Sequence, residues 1–247
     1  KMFATIGILF FLTITCINGL SLPPEFEKCE RADPKLNECL KSAVQSALSV
    51  LAKGLPEFNF ESIEPIKIPS MTIGEGTGAV HVVQNYKNAE VHNISSAKVE
   101  NVESVITDNE FQMKIQLELD EFAMTSQYKA DGSILLLRIA GEGDCTITVK
   151  NANLKLEMVG KMFEKHEKKY VEIKTFGVTL IPGKVEFDFR NLFNGDPTLG
   201  PQMNNLLNEN WRDIFLDVSS GYEKAMAEIF KKLANQIFKK IPYDEIF

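Results

Sequence analysis

The chain has 247 residues, with 27 lysines and arginines against 34 aspartates and glutamates, a formal net charge of −7. That acidic balance gives no electrostatic drive toward nucleic acid or a generally anionic membrane surface, so neither is expected as a partner. At 44% hydrophobic residues it holds enough apolar material for one large domain or two small ones.

Phe3 to Ile17 is an uncharged apolar run of about fifteen residues, too short for a comfortable membrane span. Gly19 and Ser21 then stand at the −3 and −1 positions of a cleavage after Ser21, with a cut after Gly19 as the alternative. The stretch reads as a secretory signal peptide over residues 1–21, leaving one exported, extracellular domain over 22–247. No later stretch reaches the ~18 apolar residues of a span, so no stable membrane insertion is expected.

Of the four cysteines, Cys16 leaves with the signal. Cys29 and Cys39 are expected to pair in an exported chain, and closing so short a loop contributes about 2–3 kcal/mol. Cys145 is left over. Its place in the alternating "CTITV" suggests a buried inert thiol, with a reactive or intermolecular thiol as the alternative.

From Pro34 to Lys53 the apolar residues Leu36, Leu40, Val44, Ala47, Leu48 and Leu51 recur at helical spacing. Asp33 as N-cap, Pro34 at the first helical position and Gly54 as the stop bound this helix. From about Ile66 to Phe189 the period changes to two. In "FQMKIQLEL", Phe111, Met113, Ile115, Leu117 and Leu119 face one way and the polar residues the other. Asp131-Gly132 as a hairpin, Asn151 to Asn153, and Pro182-Gly183 are the predicted turns. Strands without intervening helices predict an antiparallel meander with one wet face. Gly74 to Gly78 and Gly141 to Gly143 precede strand patterns and read as turns or bulges.

Beyond Asn194-Gly195-Asp196-Pro197 a helical pattern runs to about Lys240. Roughly forty residues would span about 60 Å, with Ser219-Ser220-Gly221 as the expected bend. Tyr222, Met226, Ile229, Phe230, Leu233, Ala234, Ile237, Phe238 and Ile241 fall on one half of the wheel. Lys224, Lys231, Lys232, Lys239, Glu228 and Asn235 fall on the other, and Lys240 sits at the inner edge, where its stem could snorkel outward. The simplest burial for so long an element is a sheet wrapped around it. The result is an elongated α+β molecule.

Four collinear segments, "CERADPKLNECL", "GDCTITVKN", "FRNLFNGDPTLGPQMNNLLNENW" and the terminal "GYEKAMAEIFKKLANQIFKKIPYDEIF", resemble the takeout and haemolymph juvenile-hormone-binding-protein family, on its takeout-like branch. The resemblance covers nearly all of the mature chain. It implies a tubular lipid-binding fold, related to bactericidal permeability-increasing proteins. There a long C-terminal helix is wrapped by a highly curved antiparallel sheet, with an internal apolar tunnel between them. It also implies a secreted, monomeric carrier of a small hydrophobic ligand, such as a fatty acid or terpenoid, with no cofactor.

Under that resemblance the tunnel-lining candidates are Phe111, Met113, Ile115, Leu117, Met124, Tyr128, Trp211, Phe215, Tyr222, Met226 and Phe230. The same aromatics at helical spacing serve equally as solid core. Met158 joins Met113, Met124 and Met226 as adaptable lining. Juvenile-hormone carriers of the family are expected to use a tunnel tyrosine and a second disulfide. This chain has no tyrosine between Cys145 and Met158 and no partner for Cys145. Tyr86, Tyr128, Tyr170 and Tyr222 remain possible donors. Burying several hundred Å² of lipid contributes about 10 kcal/mol gross, before association costs.

Catalysis has little support in the sequence. His81, His92 and His166 lack metal-ligand spacing, no Gly-x-Ser-x-Gly elbow occurs, and no metal site is expected. Asn93-Ile94-Ser95 is a glycosylation sequon, or else an unmodified loop. The rival function is a membrane-active or defence protein acting through the basic terminal helix, motivated by Lys231, Lys232, Lys239 and Lys240.

Overall fold

The computed structural model describes residues 20–76, 78–134 and 136–247. All but Leu20 and Ser21 of the expected signal peptide, Cys16 included, lies outside the described residues. Helix α1 (Leu36–Leu51) is followed by seven strands: β1 (Ile66–Ile73), β2 (Val80–His92), β3 (Lys98–Ile106), β4 (Phe111–Ile134), β5 (Leu137–Lys165), β6 (Lys168–Ile181) and β7 (Lys184–Phe189). The chain closes with α2 (Leu199–Glu209), α3 (Trp211–Phe238) and the single turn α4 (Tyr243–Ile246).

The strands form one antiparallel sheet built on β4 and β5, which pair along almost their whole length. One half of this ribbon carries β2 and β1 beside β4, and β7 beside β5. The other half carries β3 beside β4 and β6 beside β5. In β4 the residues Phe111, Met113, Ile115, Leu117 and Leu119 are buried and their neighbours exposed, as period-two alternation requires.

Two predicted turns lie inside strands. Asp131-Gly132 belongs to β4, and the chain reverses further on, between the paired Ile134 and Leu137. A Cβ on Gly132 would lie 2.0 Å from the His81 carbonyl oxygen, so its glycine serves close strand approach rather than reversal. Asn151 to Asn153 lies within β5, where Asn151 takes φ +49° and β5 exchanges β7 for β6 as its neighbour. Pro182-Gly183 does separate β6 from β7. Gly74 to Gly78 falls between β1 and β2, whereas Gly141 and Gly143 sit inside β5. There a Cβ would meet the Tyr128 hydroxyl at 2.8 Å and the Arg190 carbonyl at 2.7 Å, respectively.

The helices also depart in detail from the sequence reading. α1 begins at Leu36, two residues after Pro34, and Asp33 accepts the Lys35 N–H at 2.8 Å just outside it. Gly54 takes φ +75° beyond its end, and Cys29 and Cys39 are bonded. The long C-terminal pattern breaks at Asn210 (φ −105°, ψ 21°), not at Ser219-Ser220-Gly221, which lies within α3. Gly221 instead admits β1: a Cβ there would stand 2.9 Å from Ile73 Cγ2.

α3 has 28 residues, about 42 Å at 1.5 Å per residue. β5 has 29, which would reach about 95 Å if straight. The two cannot run side by side, so the ribbon coils around the helix. α3 accordingly touches β1 and β2 on one margin of the sheet and β6 and β7 on the other.

That wrapping leaves sheet edges open, and helix side chains occupy them. Asn204 and Asn208 of α2 each accept an N–H from β7 and donate back to a carbonyl, on Phe189 and Phe187 respectively, at 2.8–2.9 Å. Asn235 of α3 does the same to Ile173 of β6, so it faces the sheet rather than the solvated stripe expected of it. Gln45 of α1 spans Ala97 and Val99 at the β3 edge. Glu223 accepts from Leu180, and Asp217 from Gly78 and Val80. Each carboxamide reproduces the donor–acceptor pair of a missing strand.

Asn208→Ala leaves the Phe187 N–H and C=O unpaired, and should lower unfolding free energy by about 2–3 kcal/mol. Asn205→Ala, on the exposed face of α2, should cost under about 0.5 kcal/mol. Urea unfolding of the two variants checks the contrast.

Candidate functional site

Between α3 and the inner face of the sheet lie three apolar cavities in a row. The largest, about 280 Å³, lies between α1, β4, β5 and the C-terminal half of α3. A middle cavity of about 90 Å³ borders α3 from Phe215 to Phe230, and a small one of about 40 Å³ lies toward its N-terminal end. Ile94, Leu154 and Phe230 line both the largest and the middle cavity. Phe187, Val218 and Tyr222 are shared by the middle and the small one. Neighbouring cavities are thus separated by side chains that line both.

Periodicity explains the lining. Inward residues of β4 meet the i, i+3, i+4 face of α3, and both sets are apolar. Met113, Ile115 and Leu117 line the largest cavity, and Met124 the middle one. Phe215 and Met226 line the middle cavity, Phe230 the partition beyond it, Tyr222 the other partition, and Tyr128 the small cavity. Met158 lines the largest.

Phe111 and Trp211 line none of the three. Phe111 is fully buried against Phe238 and Phe247, with ring centroids 5.4 and 5.8 Å away. Trp211 sits at the start of α3 under the Lys184 ammonium and beside the Arg212 guanidinium, 5.5 and 5.4 Å from its ring. Register put both on the apolar face, but none of the three cavities extends to either. Tyr170 likewise stacks on Phe163 away from the cavities.

The sequence reading missed the α1 face. Leu40, Val44 and Leu48 line the largest cavity, with Ile246 and Phe247 from the chain terminus. Near this terminus Arg31 pairs with Asp244 at 2.8 Å and Asp108 at 3.4 Å and lies over the Tyr243 ring. Tyr243 donates to the Thr107 carbonyl at 3.0 Å, and burial pushes its hydroxyl up to about 12.

Polar groups are rare inside, and they gather at one partition. Gln84 follows Val80 and Val82 in the inward register of β2, where a third apolar residue would continue the pattern. The Tyr86 and Tyr222 hydroxyls lie 2.6 Å apart and reach Gln84 Oε1 at 2.8 and 2.7 Å. Burial holds both phenols well above their ordinary range. Tyr128 is satisfied elsewhere, donating to the Arg190 carbonyl at 2.7 Å.

The same architecture recurs among known proteins. A crystal structure of Takeout 1 from Epiphyas postvittana superposes with a TM-score of 0.77 and 26% identity, covering 89% of this chain and 98% of that one. The circadian clock-controlled protein daywake of Drosophila melanogaster is 26% identical over 98% of this chain and 94% of its own. Its Drosophila yakuba counterpart is 25% identical with the same coverage. The residue pattern of the haemolymph juvenile hormone binding protein family matches residues 8–247. The chain belongs to that family.

Within this family fold, Lys231 of α3 and Lys239 and Lys240 just beyond it each have a partner. Lys231 pairs with Glu228 at 2.6 Å and Lys239 with Glu172 at 3.2 Å. Lys240 does not snorkel outward but donates to the Phe58 carbonyl. Asn93 follows β2 on an exposed turn with φ +70°, its amide nitrogen donating to the Glu121 carbonyl.

Cys145 is buried, in no disulfide, and lines none of the cavities. Desolvation, with Asp144 and Asp188 adding, pushes its thiol up to about 12 from an ordinary 9.0. The thiol is neutral in folded and unfolded chains alike below pH 9.0. Above it the unfolded chain ionises first, so this group removes stability between pH 9.0 and about 12. Native protein at pH 8 should react with a thiol reagent at least ~100-fold more slowly than denatured protein, as timed by absorbance.

Proposed function

We propose that the protein is a secreted carrier that sequesters a small hydrophobic ligand in the channel along α3. The observation that carries this reading is the row of apolar cavities between helix and sheet, which a core meant only for stability would fill. Three compartments of unequal size separated by movable side chains suit an elongated, flexible molecule rather than a compact one. Methionines on β4 and α3, Met113, Met124 and Met226, accommodate ligands of differing shape.

Binding of this kind needs no reacting group. The gain comes from removing hydrocarbon from water, about 25 cal/mol per Å², and Phe230 must rotate for one chain to occupy both the largest and the middle compartment. The names of the solved and curated relatives specify no ligand, so fatty acids, terpenoids and juvenile hormone itself all fall within the proposal. The signal-like run at Phe3 to Ile17 and the Cys29–Cys39 bond, which favours an oxidising compartment, support export.

Protein purified without denaturation should release a lipid into organic solvent, and native mass spectrometry should show the corresponding bound mass. Absence of any bound mass, together with no shift of a neutral fluorescent lipid probe, would overturn the proposal. Met226→Trp places an indole in the middle cavity of about 90 Å³. It should weaken probe binding about tenfold or more with thermal unfolding retained.

A further inference from the structure

The polar end of the ligand can be constrained further, on the premise that the channel binds lipid. The residues lining the three cavities include no lysine, arginine or histidine among the described residues. The charged residues among them are Glu223 at the middle cavity and Glu27 at the largest, both carboxylates. Glu223 is held toward the channel by its bond from the Leu180 N–H at 2.9 Å. A second carboxylate entering this space loses its hydration, meets no cation and faces like charge.

What the channel does offer is the neutral cluster at its inner partition. Two hydroxyls and one carboxamide stand within 2.6–2.8 Å of one another where the middle and small cavities meet. Tyr222 is common to both cavities, and Tyr86 and Gln84 line the small one. Together they form a polar septum across an otherwise apolar bore. A hydrocarbon chain reaching it meets groups that it cannot hydrogen-bond and that would be costly to separate. A neutral oxygen can instead join the cluster, accepting from a hydroxyl or donating to one. The upward displacement of both phenols by burial reports the same penalty on negative charge.

We infer that Gln84, Tyr86 and Tyr222 form the polar-end site of the channel, and that it selects lipophiles ending in a neutral oxygen function, an alcohol before all, over ionised fatty acids. The hydrocarbon tail then lies in the middle and largest cavities. The septum ends the usable bore, so the small cavity beyond it takes no tail.

The test is displacement of the neutral probe N-phenyl-1-naphthylamine at pH 8, by 1-tetradecanol and by tetradecanoate. Wild-type protein should release the probe at a tetradecanol concentration at least ~10-fold below that of tetradecanoate. Tyr222→Phe and, separately, Tyr86→Phe should each weaken tetradecanol about fivefold relative to the probe measured on the same variant, the value of one neutral hydrogen bond. Glu223→Gln keeps an acceptor for Leu180 and should improve tetradecanoate severalfold.

Equal or tighter binding of tetradecanoate by the wild type overturns the inference, as do two phenylalanine variants that leave the alcohol preference intact. Both of those results would leave the carrier reading standing. If the wild type bound neither the probe nor either lipid, the carrier reading itself would fall, and this inference with it.

Discussion

An antiparallel sheet that does not close on itself must satisfy the backbone groups along its free edges, and the rest of this structure depends on how that is done. Here the edges of β3, β6 and β7 are met by Gln45, Asn235, Asn204 and Asn208, each bonding through both ends of its carboxamide. The helices are thus hydrogen-bonded to the sheet margins. Apolar filling alone would have drawn α3 down onto the strands. Asn235, Glu223 and Asp217 tie α3 to the sheet, and cavities remain beneath it.

A ligand that binds in that space binds the folded chain alone, so occupancy and folding stability are linked. The apolar walls supply that free energy without direction. Direction comes from the few polar groups, and Gln84, Tyr86 and Tyr222 are gathered at one partition.

Some of the site was legible beforehand, and particular residues show why the rest was not. Met113, Ile115 and Leu117 could be put on one face because strand period is local. Met226 and Phe230 followed from helical period for the same reason. Phe111 shares the register of Met113 yet packs against Phe238 and Phe247, because where a cavity stops depends on segments remote in sequence. The face of α1 and the closing role of Phe247 were invisible for that reason. Asp131-Gly132 looked like a turn by composition, but its glycine answers to the His81 carbonyl of another strand. Asn235 looked like a solvated residue because a wheel cannot show a strand edge beside it.

The sequence by itself determined an amphipathic first helix, a long alternating sheet and a C-terminal helix with one apolar half, since these follow from residue spacing. It also determined the acidic balance and the pairing options of the cysteines. Only the tertiary structure decided that the C-terminal helical pattern breaks at Asn210 and that α3 stays continuous through Gly221, where β1 presses against it. It alone decided where the apolar faces pack together and where cavities remain between them. Periodicity says which way a side chain points, whereas the distance to what it faces is set by contacts between segments far apart along the chain.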